Sequence, residues 1–210
     1  MDGVLVDSNP FHKIALKQFC KKYGKDLTED ELREKIYGRR NQDWLLHVFG
    51  EMDQRQMNAY AYEKEGLFRE IYEKDIRLID GLDSFLNKMD QSGIPRAIAT
   101  SAPRSNVDFT LQKTNSGHYF ETILDSSFVD KGKPDPQIYL KTVAALNFEP
   151  QYCIVFEDSL AGVESAKNAG CKVVGITTTH TGDELAGTNL VIDNFLGLDP
   201  KALILKLFGT

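Results

Sequence analysis

Cysteine is scarce in this chain and is placed badly for any joint use. Cys20, Cys153 and Cys171 are an odd, widely spaced set with no Cys-x-x-Cys pair, which argues against a disulfide framework and gives no zinc-ligand spacing. Long apolar runs are missing as well. No stretch approaches the length of a bilayer span, and nothing at the N-terminus reads as a secretory signal, so no membrane partner is expected and the expected compartment is cytoplasmic. Basic residues are in deficit, with 25 Lys and Arg against 31 Asp and Glu for a net charge of −6. That balance leaves no broad basic face for nucleic acid. Internal repeats and low-complexity tracts are also absent. What is there is ordinary: 210 residues, 41% hydrophobic and 27% charged, the size of one large domain or of a core with an insertion. A monomer or weak dimer is expected.

The chain has two rhythms. Residues 10–75 read as helices. Phe11, Ile14, Ala15, Gln18 and Phe19 follow helical spacing up to a stop at Gly24. Thr28-Glu29-Asp30-Glu31 is a capping box that opens a second short helix ending before Gly38. A third runs over about 42–49 and a fourth over about 55–74, where Tyr62, Leu67, Phe68, Ile71 and Tyr72 supply an apolar face. After Gly81, strand and helix alternate. Strands are expected at 94–100, 121–124, 153–156, 172–176 and 190–192, with helices between them and a last one from Pro200. The alternation predicts an α/β fold, a parallel sheet with helices on both faces.

Open sheets of this kind hold their sites at the carboxyl ends of the strands. Asp2, Thr100, Lys133 and the pair Glu157-Asp158 all fall there. Phosphoryl transfer through a carboxylate asks for an anionic nucleophile, an acid/base for the leaving oxygen, donors around the phosphoryl oxygens and a cation beneath them. Each residue also has a plainer reading. Asp2-Gly3 is a turn, Thr100-Ser101 caps the helix at Arg104, Lys133 is a solvated loop lysine, and Asp158 caps the next helix. Two carboxylates at the end of a buried strand are costly without a cation or donors, and oxygen ligands suit Mg²⁺.

Four stretches in this order resemble the haloacid dehalogenase (HAD) superfamily: Asp2-Gly3-Val4-Leu5-Val6-Asp7-Ser8, Thr100-Ser101, Lys133-Pro134-Asp135-Pro136, and Glu157-Asp158-Ser159 with Gly162. The last is the most specific single signal, and the four together cover nearly the whole chain. The resemblance implies a Rossmann-like core over 1–9 and 81–210, with a four-helix bundle cap of the β-phosphoglucomutase-like kind over 10–80. It implies a Mg²⁺-dependent phosphatase of small phosphorylated metabolites, sugar phosphates foremost, with β-phosphoglucomutase as the alternative and a non-catalytic homologue as another. Asp2 would be acid/base and, through its carbonyl, a metal ligand with Glu157 and Asp158. Thr100 and Lys133, chosen over Lys131, would hold the phosphoryl oxygens, with Ser101 beside them.

For the substrate, the resemblance offers His12 near the hinge, Arg39 and Arg40 after Gly38, Lys64 on the long cap helix, and Arg104 and Asn106 after the second motif. His12 reads equally as a cap-core histidine, and the two arginines as a solvated helix end. The family's nucleophile is an Asp two positions before Asp2, which places it and its strand upstream of Met1; without that strand its neighbours would lie unpaired and the core open. Two positions depart from the β-phosphoglucomutases: Asn41 stands where an arginine is expected, and Pro103-Arg104 where Lys-Asn is expected.

Overall fold

A computed structural model describes residues 1–36 and 39–209 of the chain; Gly38 lies outside them. The first eight residues form a tight loop. The amide of Gly3 donates to the Val6 carbonyl at 2.8 Å and that of Leu5 to the Met1 carbonyl at 2.7 Å. Four helical segments follow. Helix α1 (Asn9–Lys22) is stopped at Gly24, whose φ of +71° few other residues adopt. Helix α2 (Glu29–Glu31) opens on the expected capping box, with Thr28 and Glu31 each bonded to the other's backbone amide. It then widens into a π-helical turn, Leu32–Ile36. Helices α3 (Asn41–Phe49) and α4 (Gln54–Tyr72) complete this layer.

The layer has an apolar cluster of its own, in which Leu16, Phe19, Cys20, Leu32, Trp44, Leu45 and Met57 meet. The predicted inner faces need one correction. Tyr62 was expected on the buried stripe of α4 but is 79% exposed, whereas Lys64, two residues on, is buried.

Beyond α5 (Leu82–Gln91) the strand–helix alternation runs as read: β1 (Ala97–Ala99), α6 (Arg104–Thr114), β2 (Thr122–Leu124), α7 (Gln137–Ala145), β3 (Ile154–Glu157), α8 (Leu160–Asn168), β4 (Lys172–Ile176), β5 (Leu190–Ile192) and α9 (Pro200–Phe208). Every strand pairing among these strands is parallel. Strand β1 is shorter than expected, starting two residues after Pro95, which has no N–H to give a ladder.

The sheet is not continuous. Among the described residues β1 pairs only with β2, and β3–β4–β5 form a separate sheet. Among the described residues β1 and β3 are each left with one unpaired edge. No helix among the described residues is long and apolar enough to cross a membrane.

Candidate active site

The carboxyl ends of β1 and β3 open onto one small cavity of about 90 Å³, lined among others by Asp2, Thr100, Ser101, Lys133, Glu157 and Asp158. Residues separated by more than a hundred positions thus meet at one point, because parallel strands deliver their ends to the same side of a sheet.

Lys133 is 7% exposed, and its ammonium donates to Glu157 Oε1, which the Tyr139 hydroxyl also reaches. Lys131 is exposed and faces Asp135 instead. Burial works to raise the Glu157 carboxyl, but the charge and hydrogen bond of Lys133 outweigh it and hold the group below its usual range. Oε2 of Glu157 accepts from the Asp158 amide at 3.2 Å and from the Ser159 hydroxyl at 3.2 Å. The carboxylate packs against Gly162, where an added Cβ would lie 2.1 Å from its Cδ.

Asp158 has the opposite balance. Burial, then the charge of Glu157, push its carboxyl up to about 7 against the hydrogen bond from Thr179. Its Oδ2 accepts from Asn9 Nδ2 at 3.0 Å and from the Thr179 hydroxyl. Gly3, at φ +68°, leaves no room beside it: a Cβ there would meet Oδ2 at 2.0 Å.

Asp2 Oδ1 accepts from the Ser8 hydroxyl at 2.7 Å and lies 3.5 Å from His12 Nε2. Burial works against the charged form of Asp2, yet the hydrogen bond and charge of His12 and the Ser8 donor hold the carboxyl well below the usual range. Thr100 is buried, and its Oγ1 accepts from the Ala102 amide at 3.1 Å.

Oxygen donors are the right chemistry for a hard cation. Asp158 is a buried acid with too little positive charge near it, which is the electrostatic condition that a cation relieves. Glu157, by contrast, is turned to Lys133 and Tyr139, and among the described residues no three His, Cys, Asp or Glu side chains converge as a ready-made metal cluster. Asp2, Asp158 and Glu65 are the other acids that line the cavity.

The remaining candidates divide. His12, Arg39, Lys64 and Asn106 line the cavity. Lys64 Nζ sits 2.6 Å from Glu65 Oε1 and 3.4 Å from His12 Nδ1, so its charge is matched inside the protein. Arg40 and Arg104 do not line it. Arg40 donates to Asp43 and to the carbonyls of Val129 and Asp130, and Arg104 pairs with Asp108 one helical turn on at 2.7 Å. Both arginines find a carboxylate three or four residues away, and that local pairing aims them away from the cavity.

Sequence reading missed Asn9, Thr179 and Glu65. Thr179 carried a signal, since Thr177-Thr178-Thr179 follows β4 at the same sheet end. Asn9 carried none, because its partners are distant in sequence, and Glu65 none beyond the adjacent Lys64, since it reaches Asn106 only across 41 positions.

Fold and site together define an α/β protein whose parallel strands end in an acidic pocket holding a buried lysine. The model of the haloacid dehalogenase-like hydrolases matches residues 1–176, and the chain belongs to that family. A phosphorylated carbohydrates phosphatase of Thermotoga maritima is 33% identical over 176 residues, which cover 81% of this chain and 79% of that protein. A β-phosphoglucomutase of Bacillus subtilis is 27% identical, over 91% of this chain and 86% of its own length. Of two other relatives the chain spans only about half, 52% and 54%. Among solved structures, a HAD hydrolase of family IA, variant 3, from Entamoeba histolytica superposes with a TM-score of 0.88 at 34% identity, covering 99% of this chain and 96% of that one.

Proposed function

We propose that the protein is a Mg²⁺-dependent phosphatase of small phosphorylated metabolites, sugar phosphates foremost. The observation that carries this reading is the meeting of Lys133, Thr100, Asp2 and Asp158 at one strand-end cavity. Lys133 and the Thr100 hydroxyl would hold the phosphoryl oxygens while charge develops on them. Asp2 would give a proton to the leaving oxygen and then take one back from the water that attacks phosphorus; His12 and Ser8 favour the ionised form that accepts it. Asp158 and Asp2 would hold Mg²⁺, with Glu157 adding negative charge behind them; bound there, the ion would neutralise the phosphoryl charge. The attacking carboxylate is the one that the family motif places two positions before Asp2. Met1 lines this cavity, and its amino group feels the charges of Asp2 and Lys133.

Phosphatase is favoured over mutase because a mutase must grip a second phosphate while its intermediate turns over. Lys64 is matched by Glu65, and Arg40 is turned to Asp43 and the backbone at 129–130. Arg39 lines the cavity and keeps the mutase reading alive. A cavity of about 90 Å³ is small for a sugar phosphate, and a helical layer that swings open as a cap would admit one.

The test is to incubate protein carrying an aspartate two positions before Asp2 with hexose 6-phosphates and with β-glucose 1-phosphate, with and without EDTA. Free phosphate that disappears with EDTA is the expected result. Conversion of β-glucose 1-phosphate to a 6-phosphate without free phosphate would replace the phosphatase reading by the mutase one.

A further inference from the structure

Spacing along the chain keeps the three cysteines apart, but the fold brings two of them together. Strands β3 and β4 run parallel, with Ile154 opposite Lys172 and Val155 opposite Val173. The Lys172 amide donates to the Cys153 carbonyl at 3.0 Å. That bond carries the register one residue further back and sets Cys153 beside Cys171. Both side chains fall on one face. Residues of a strand alternate between faces. Cys171 and Val173 belong to one apolar cluster, with Cys153 and Val155 packed against it, whereas Ile154 and Phe156 pack against another.

Neighbouring strands lie about 4.8 Å apart, and a disulfide spans roughly 4.4–6.8 Å between Cα atoms. The backbone of the pair therefore already stands at bonding distance. The two thiols differ in access, since Cys153 is half-buried and Cys171 only 7% exposed. Burial pushes the Cys153 thiol up. Burial, then the charge of Cys153, push Cys171 up to about 11, so the two sulfurs lie within each other's field. Little thiolate is present at neutral pH, which makes the pair slow to react, and the outer sulfur meets a reagent before the buried one does. Cys20, the third cysteine, is enclosed in the apolar cluster of the helical layer.

We propose that Cys153 and Cys171 form a reversible modification site, a cross-strand dithiol that low-molecular-weight disulfides oxidise to an internal disulfide. The Cys153 thiolate attacks one sulfur of R–S–S–R, making a mixed disulfide and expelling RS⁻, which takes up the proton that Cys153 lost. The Cys171 thiolate then attacks Cys153 Sγ. A bond between the two Sγ atoms forms as the mixed disulfide breaks, and the second RS⁻ leaves and takes up the proton of Cys171. Two electrons pass from the pair to the reagent, which ends as two molecules of RSH. The new bond ties β3 to β4 at their amino ends, away from Glu157 at the carboxyl end of β3. It stands apart from the proposed function.

The test treats the folded 210-residue protein with excess hydroxyethyl disulfide at mildly alkaline pH, blocks the remaining thiols and maps the tryptic peptides. Free thiols should fall from three to one, with residues 142–167 linked to 168–172 and Cys20 recovered as a thiol. Dithiothreitol should return all three. Cys171→Ser should stop at a stable mixed disulfide on Cys153. In Cys153→Ser, the buried Cys171 should react at least about tenfold more slowly than Cys153 does in the wild type. The proposal is overturned if the wild type keeps all its thiols, or holds a mixed disulfide on Cys153 with no linked peptide. It is equally overturned if the link forms only in urea, or if Cys153 joins a second copy of the chain instead. Phosphate release is assayed separately and bears on the proposed function alone.

Discussion

Asn106, on core helix α6, donates through Nδ2 to Glu65 Oε2 of helix α4 at 2.6 Å, with both side chains buried. The same asparagine accepts from Arg69 Nη1 at 2.7 Å. One core side chain thus satisfies an acid and a base on the long helix of the layer above, and both bonds must open if that layer lifts.

Asn106→Ala should therefore cost stability, about 1–3 kcal/mol for leaving a buried charged acceptor without its donor. Urea unfolding followed by circular dichroism measures this. Asn106→Asp should cost more, since it sets a second carboxylate against Glu65. Equal midpoints for wild type and Asn106→Ala would mean that the bond holds nothing in place.

Lys133 and Glu157 form a deeply buried ion pair at the site. Lys133→Met should destabilise the protein by roughly 3–5 kcal/mol, because Glu157 would keep only neutral donors. The double variant Lys133→Met/Glu157→Gln should regain part of that loss. A double-mutant cycle with no coupling between the two positions would contradict the pairing.

The pH dependence of the metal-free protein follows from Asp158. Its carboxyl titrates near 3.8 when unperturbed and at about 7 in the folded protein. Between those values the folded state keeps a proton that the unfolded chain has released, so stability falls as pH rises across that window. Glu157 and Asp2 are shifted downward and act at lower pH, where their contribution is lost on acidification. Melting temperatures taken from pH 5 to pH 8 should decline for wild type and flatten for Asp158→Asn. Added Mg²⁺ should restore the wild type most at pH 8. A decline of the same size in Asp158→Asn would remove Asp158 as its source.

Gly3→Ala tests the packing of the first turn against Asp158. The new Cβ would fall 2.0 Å from Oδ2 at a φ of +68°. The left-handed backbone alone costs about 1–2 kcal/mol, and the acid must move. Mn²⁺ titration followed by electron paramagnetic resonance should show at least a tenfold weaker site. Unchanged affinity would mean that Asp158 does not hold the ion.

Much of this was legible along the chain, for reasons that differ by residue. Thr100 and Asp158 stand out because each follows an apolar run and precedes a helix start, and Lys133 because Lys133-Pro134-Asp135-Pro136 opens a helix; such local patterns carry position. Arg40 and Arg104 went astray because a nearby carboxylate on the same helix competes for a guanidinium as strongly as any ligand would. Asn9 and Glu65 could not be found by spacing, since their bonds span 149 and 41 positions, whereas Thr179 could have been read from its place just after β4. Tyr62 was assigned inward on periodicity, which says that a stripe exists but sets its edges loosely.

The grip of Arg40 on the carbonyls of Val129 and Asp130 has a mechanical consequence. Those carbonyls belong to the loop that carries Lys133, and Gly132 lies so close to the Asp43 and Arg40 side chains that an added Cβ would fall 2.5 Å and 2.8 Å from them. If the helical layer lifts, Arg40 ties it to the segment that bears Lys133, so the layer and that ammonium would move together.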